Sequence, residues 1–242
     1  MMWPYPKVIV HRLGGALGPE NTLAGLAITA KLGFRVVEFD VMLSHDGVPL
    51  VMHDETLERT TNGIGKVADR DARELLQLDA GGKRHAAFAG EKIPTFVEVL
   101  VACQHFGIVP NVEIKPAMGF DADTARAVVE AITQHWREVV PPLLSSFSVA
   151  AMEVVQELAP HLPRALNVVE VPSDWQRQIA ALGCTGLHPS LRDNDLSVLR
   201  ACRSEGVQMA VWTVNERAQA ENLFAIGIDA VFSDRPDLFV AG

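Results

Sequence analysis

Only three cysteines occur in the 242 residues, Cys103, Cys184 and Cys202, and none stands at a metal-type paired spacing. That excludes a thiolate zinc knuckle, and an odd, scattered set points to reduced thiols in a cytoplasmic protein rather than a disulfide framework. Long apolar runs are also missing: no uncharged stretch reaches the ~18 residues that a membrane-spanning helix requires. The opening MMWPYPKVIVHR has no basic region followed by a long apolar segment, so no signal peptide is expected. Nor is there an excess of positive charge. Lys and Arg number 21 against 30 Asp and Glu, a net charge of −9. Such a chain is a poor fit to a nucleic-acid backbone or an anionic membrane surface. A small anionic substrate stays open, because a few local cations and a metal ion can dominate one cleft. Low-complexity tracts and interdomain linkers are absent too. The composition, 48% hydrophobic and 21% charged, is that of a soluble globular protein.

What the chain does contain is alternation. Short β-rich runs stand at 7–10 (KVIV), 35–43 (RVVEFDVML), 107–114, 142–147, 164–169, 185–189, 207–214 and 228–233. Helix candidates lie between them. One is capped by Asn21, has Leu23, Leu26, Ala27 and Ala30 on its apolar face, and closes at Gly33 as a left-handed residue. Others span 95–106, 121–136, 149–159, 174–182, 193–205 and 216–226. Eight strands alternating with helices predict an α/β fold, a closed (β/α)8 TIM barrel of the usual ~250 residues, as one domain over 1–242. The rival, an open doubly wound sheet, requires a G-x-G-x-x-G loop after the first strand. HRLGGALGPENT has glycines without that spacing and begins with a His-Arg pair. The interval 54–94 is too long for an ordinary connection and holds one short helix candidate, 69–78. It reads as a small insertion after the second strand, a lid beside the site.

The charged residues fall where such a barrel builds its active face. His11 and Arg12 follow KVIV, Glu38 and Asp40 lie in VVEFDV, His53 and Asp54 follow VPLVM, and Glu113 and Lys115 lie in IVPNVEIKP. A charge in a buried strand is expensive unless it is paired or holds an ion. Alternation puts Glu38 and Asp40 on one side of their strand, and Glu113 and Lys115 likewise. Three carboxylates plus water suit a hard divalent ion, Mg2+ or Ca2+. Two histidines supply a general acid and a general base near neutrality. Arg12 and Lys115 offer donors to a phosphoryl oxygen. The set reads as metal-assisted phosphodiester cleavage. Structural ion pairing explains Glu38 and Asp40 with Arg12, but less easily four such strand ends. Trp212 is either barrel core or pocket wall, Asn21 either a helix cap or a ligand contact, and His188 and Ser146 are weaker site candidates. His45, His105, His135 and His161 read as surface residues.

The segments HRLGGALGPENTLAG, VVEFDVMLSHDGVPLVMHDETLERTTNG, NVEIKP, LLSSFS, VWTVN and GIDAVFSDRPD resemble, in order, the glycerophosphodiester phosphodiesterases, above all the short cytoplasmic bacterial type. The resemblance implies a (β/α)8 barrel and a divalent-metal-dependent hydrolase. Its small-molecule substrates would be glycerophosphodiesters, split into an alcohol and sn-glycerol 3-phosphate. Carried over by position, His11 and His53 are the acid/base pair, and Glu38, Asp40 and Glu113 are the metal ligands. Arg12 and Lys115 hold the phosphate, and Trp212 lines the glycerol side. The family route is usually drawn with the glycerol 2-hydroxyl attacking phosphorus to give a cyclic phosphate that water opens. One position departs: Leu13 stands where the family has glycine, and its bulk is expected to shift the loop or narrow the pocket. Two other readings keep the barrel. One changes the substrate to a lysophospholipid or another phosphodiester, and the other binds glycerophosphate compounds without turnover.

Overall fold

All eight predicted barrel strands form, and a ninth, unpredicted strand joins them. In the computed structural model, which describes residues 3–240, the strands are β1 (Val8–Val10), β2 (Val36–Leu43), β3 (Pro49–Val51), β4 (Val109–Ile114), β5 (Leu143–Ser146), β6 (Arg164–Val168), β7 (Gly186–Pro189), β8 (Gln208–Val211) and β9 (Ala230–Ser233). All but β3 run parallel, each beside the next in sequence. The Val8↔Val231 register joins β9 back to β1, so the barrel closes.

Side-chain alternation sorts each strand into a helix-facing and an interior set. On β2, Val37, Phe39 and Val41 pack outward with Leu26, Phe96, Val99 and Leu100 of the helical layer. The intervening residues point into the barrel, which fills in layers. The lower layer is apolar and includes Ile9, Val36, Leu143, Ala165, Ala210 and Ala230. Two residues further along the same strands come His11, Glu38, Ser145, Asn167, Trp212 and Phe232, which line a cavity at the C-terminal ends. A dry plug below and a mostly polar layer above, with Trp212 and Phe232 its aromatic members, thus follow from the two-residue period.

The helices α1 (Leu23–Lys31), α2 (Ala72–Leu75), α3 (Phe96–Phe106), α4 (Asp121–His135), α5 (Val149–Leu158), α6 (Trp175–Ala181), α7 (Leu196–Ser204) and α8 (Arg217–Ala225) follow the predicted order. Thr95 and Glu98 form a capping box at α3, and Gly107 closes it in the left-handed region. Gly33 is left-handed just beyond α1, as predicted. The last strand is followed by a 3-10 turn, Pro236–Phe239.

Two expectations change. The segment 54–94 follows a hairpin rather than the second strand directly, because Pro49–Val51 folds back antiparallel on β2 with Val41 opposite Val51. Within that segment the helix expected at 69–78 shrinks to Ala72–Leu75. Burial outweighs helix propensity there: Leu57, Val67, Leu75 and Ile93 pack with Met42, Leu50 and Met52 in a cluster of their own.

Candidate active site

The hairpin has a direct consequence for the site. It returns the chain beside β2, where the Met52 N–H donates to the Asp40 carbonyl. His53 therefore comes from an antiparallel return, not from a barrel strand end, and lines the same cavity as Asp40. All eight residues assigned from the sequence meet there: His11, Arg12, Glu38, Asp40, His53, Glu113, Lys115 and Trp212.

Glu38, Asp40 and Glu113 each bring a carboxylate oxygen within 4.8 Å of the other two. Glu38 Oε2 accepts the Arg12 backbone N–H at 2.9 Å. Asp40 accepts from Asn21 Nδ2 at 2.9 Å and from Lys115 Nζ at 3.3 Å. Glu113 Oε2 accepts from Asn167 Nδ2 at 3.1 Å. Among the described residues the other oxygens of Glu38 and Glu113 are buried without a hydrogen-bond partner, with Lys115 Nζ 3.6 Å from Glu113 Oε1. Burial and the neighbouring Asp40 charge push Glu38 up to about 7 and raise Glu113 well above the carboxylate range. Asp40 moves the other way: burial opposes its charge, but Lys115, His53, Arg12 and the Asn21 hydrogen bond outweigh it. Three buried carboxylates so close together are short of positive charge.

Each histidine is held by a carboxylate. His11 Nδ1 lies 2.6 Å from Asp234 Oδ1, and His53 Nδ1 lies 2.7 Å from Asp54 Oδ1. An ionised carboxylate only accepts, so Nδ1 carries the proton in both rings and Nε2 is left for chemistry. Burial opposes a charge on His11, yet the Asp234 hydrogen bond and the Glu38 charge outweigh it and raise its pKa. His53 is pushed down by burial, with Lys115 and Arg12 adding to the shift against the pull of Asp40. Asp234 is itself fixed, accepting from Asn215 Nδ2 at 3.0 Å while its backbone N–H donates to Asn215 Oδ1 at 2.8 Å.

A single arginine ties the His53 side to the Arg12 side. Arg59, from the 54–94 segment, donates to Asp54 from Nε at 2.5 Å and to both Glu20 oxygens at 2.7 Å. Glu20 in turn accepts from Arg12 at 3.0 Å. The opposite wall is aromatic. Phe147 and Trp212 meet edge-on at 5.7 Å, and the Trp212 indole donates to the His188 carbonyl at 2.8 Å. Trp212 is thus a pocket wall, braced from behind.

Several assignments are corrected. Thr22, not Asn21, caps α1, accepting from the Gly25 N–H. Asn21 sits at φ 57° and aims its amide at Asp40. Leu13 does not narrow the cavity: it is fully buried among Leu26, Val37 and Phe39, behind the strand, at φ 68°. Ser146 turns away to the Ile114 carbonyl, leaving Ser145 on the cavity wall. His188 is buried beneath the site, its pKa pushed down to about 3. His45, His105 and His161 are exposed, and His135 is half-buried.

Sequence reasoning missed Asp234, Asn215, Asn111, Asn167, Phe147, Glu20 and Arg59. Asp234 follows the last strand and Asn215 follows VWTV, so the strand-end rule would have found both. Asn111 and Asn167 are polar residues inside strand runs, the same signal that revealed Glu38.

Comparison with known proteins agrees with this geometry. The glycerophosphoryl diester phosphodiesterase family matches residues 11–238. A glycerophosphodiester phosphodiesterase of Caldanaerobacter subterraneus subsp. tengcongensis is 33% identical, with 96% of each chain covered. An Oleispira antarctica phosphodiesterase, solved in complex with the product sn-glycerol-3-phosphate, superposes with a TM-score of 0.94 at 38% identity, over 97% of this chain and 96% of that one. The glycerophosphodiester phosphodiesterase of Agrobacterium tumefaciens superposes at 0.77 and 28% identity, over 98% and 99%. With its barrel, its carboxylate cluster and its two anchored histidines, the chain belongs to the glycerophosphoryl diester phosphodiesterase family.

Proposed function

We propose that this enzyme hydrolyses glycerophosphodiesters to sn-glycerol 3-phosphate and an alcohol, using a divalent ion held by Glu38, Asp40 and Glu113. The observation that carries the reading is the carboxylate trio, its oxygens within 4.8 Å of one another and flanked by two carboxylate-anchored histidines. The residues fit such an ion: among the described residues Glu38 Oε1 is buried without a hydrogen-bond partner, Glu113 Oε1 has only Lys115 Nζ at 3.6 Å, and all-oxygen donors suit Mg2+ or Ca2+. A bound ion would neutralise the phosphoryl oxygens as charge builds on them. Arg12 and Lys115, both on the cavity wall, would hold the remaining oxygens.

The two histidines divide the proton work. His53, with its pKa lowered, is the base that takes the proton of the glycerol 2-hydroxyl as that oxygen attacks phosphorus. His11, with its pKa raised, is the acid that protonates the alcohol oxygen as its bond to phosphorus breaks. Water then opens the cyclic phosphate with the two roles exchanged. Environments that separate two like groups in this way are how one site runs acid and base chemistry together. The test is release of glycerol 3-phosphate from glycerophosphocholine, with and without chelator and with Mg2+ or Ca2+ restored. Turnover untouched by chelation, or near wild-type rates in His11→Ala or His53→Ala, would refute the assignment.

A further inference from the structure

A phosphodiester has two arms, and the structure has two cavities meeting at its catalytic residues. The first, about 230 Å³, holds the carboxylate trio and the aromatic wall. The second, about 630 Å³, shares His11, Arg12 and Thr213 with it. Its other walls come from the loop after β1, from Asn215 and Asp234, and from Arg84 of the 54–94 segment. The small, aromatic-walled cavity suits a glycerol backbone. The larger one, on which His11 opens and His53 does not, is where a leaving alcohol would meet its acid.

The charge of this second cavity is unlike that of the chain as a whole. Together with a smaller cavity of about 210 Å³ that adjoins it at Glu20 and Arg84, it is lined by Arg12, Arg59, Lys83, Arg84 and Arg235. Only Glu20 and Asp234 oppose them, in a protein of net charge −9. Arg12, Arg59 and Arg235 are already ion-paired. Arg84 and Lys83, among the described residues, bond only to the backbone carbonyls of Ala16 and Glu58. Neither forms an ion pair among the described residues, although Lys83 is near enough to Glu58 to help hold its carboxyl down, and Arg84 spans from the 54–94 segment to the loop after β1, on the wall common to both spaces.

We propose that the second cavity is the headgroup subsite and that Arg84, with Lys83 beside it, selects alcohols carrying negative charge over quaternary ammonium ones. This rests on the phosphodiesterase reading and names its substrate class. An exposed guanidinium near a charged group is worth a modest Coulomb gain, and salt weakens it.

The experiment compares kcat and KM of the full chain, metal present, for glycerophosphocholine, glycerophosphoglycerol and glycerophosphoinositol 4-phosphate. Wild type should rank the anionic diester first and the choline diester last, about tenfold apart in kcat/KM, which is about 1.4 kcal/mol. The spread should shrink in high salt. Arg84→Glu should reverse the ranking through KM, whereas Arg84→Lys should keep it. Arg84 is in an exposed loop, and melting curves of both variants check that the fold is intact. Equal kcat/KM across the panel, or an unchanged ranking in Arg84→Glu, overturns the subsite alone. Absence of glycerol 3-phosphate from every substrate overturns the phosphodiesterase reading and the subsite with it.

Discussion

Acidification should weaken this protein through one histidine that never touches substrate. His188 is fully buried, its ring edge-on to Phe232 at 5.1 Å. Its Nδ1 donates to Asn167 Oδ1 at 3.2 Å, and Nε2 has no hydrogen-bond partner among the described residues. A proton on Nε2 would place a charge in apolar surroundings, and burial pushes the pKa from 6.5 down to about 3. The sign follows. Folded His188 stays neutral while unfolded His188 takes up a proton below pH 6.5, so stability is complete above that value and is lost as pH falls toward 3. At 1.36 kcal/mol per pH unit, the loss by pH 5 is about 2 kcal/mol, with a limit of about 5 kcal/mol once pH is below both values. Against a typical total of about 5–15 kcal/mol that is large. Urea unfolding of wild type and His188→Gln at pH 7.5, 6 and 5 isolates it, the wild-type midpoint falling by about 1 M more than the variant's by pH 5. Glu38 and Glu113 titrate with the opposite sign, because their raised pKa values favour the folded state at low pH, but both chains share them. Parallel curves for the two chains would refute the reasoning. Activity should fall in step, because Asn167 also holds Glu113.

Asp40→Asn should weaken divalent-ion affinity at least tenfold by titration calorimetry, because the carboxylate central to the trio is lost while the Asn21 contact can re-form. Arg59→Ala should lower kcat by about tenfold with little change in KM, and Arg59→Lys should recover part of it, because Asp54 and Glu20 lose one shared anchor. Leu13→Gly should leave KM unchanged and destabilise by about 2 kcal/mol in denaturant unfolding. The left-handed strain relieved is about 1 kcal/mol, and the buried leucine lost is worth about 3 kcal/mol.

The barrel was legible because burial on both faces leaves a conspicuous signature. Eight β-rich runs stand out, and polar residues inside them, such as Glu38 and Asp40, mark the interior. Asn21 was less legible: Asn and Thr cap helices almost equally well, so local chemistry could not choose between Asn21 and Thr22. Asp40, 19 residues away, makes the choice by engaging the Asn21 amide. The strand-end position marks Asp234 as a candidate, but nothing local ties it to His11, 223 residues earlier. Leu13 misled for a related reason. Its size was visible, but whether it faced the cavity or the helices depended on the backbone turn at Arg12 and Leu13.

By itself the sequence determined the order of strands and helices, the residue types able to hold a metal and a phosphate, and the family. The first two depend on periodicity and chemical identity, which are local, and the family on the resemblance of whole segments. Only the tertiary structure decided that His53 returns on a hairpin, that Arg59 joins its anchor to that of Arg12, and that a second, cation-lined cavity opens behind His11. These depend on which distant segments barrel closure brings within hydrogen-bond reach, and no local pattern of residues encodes that distance.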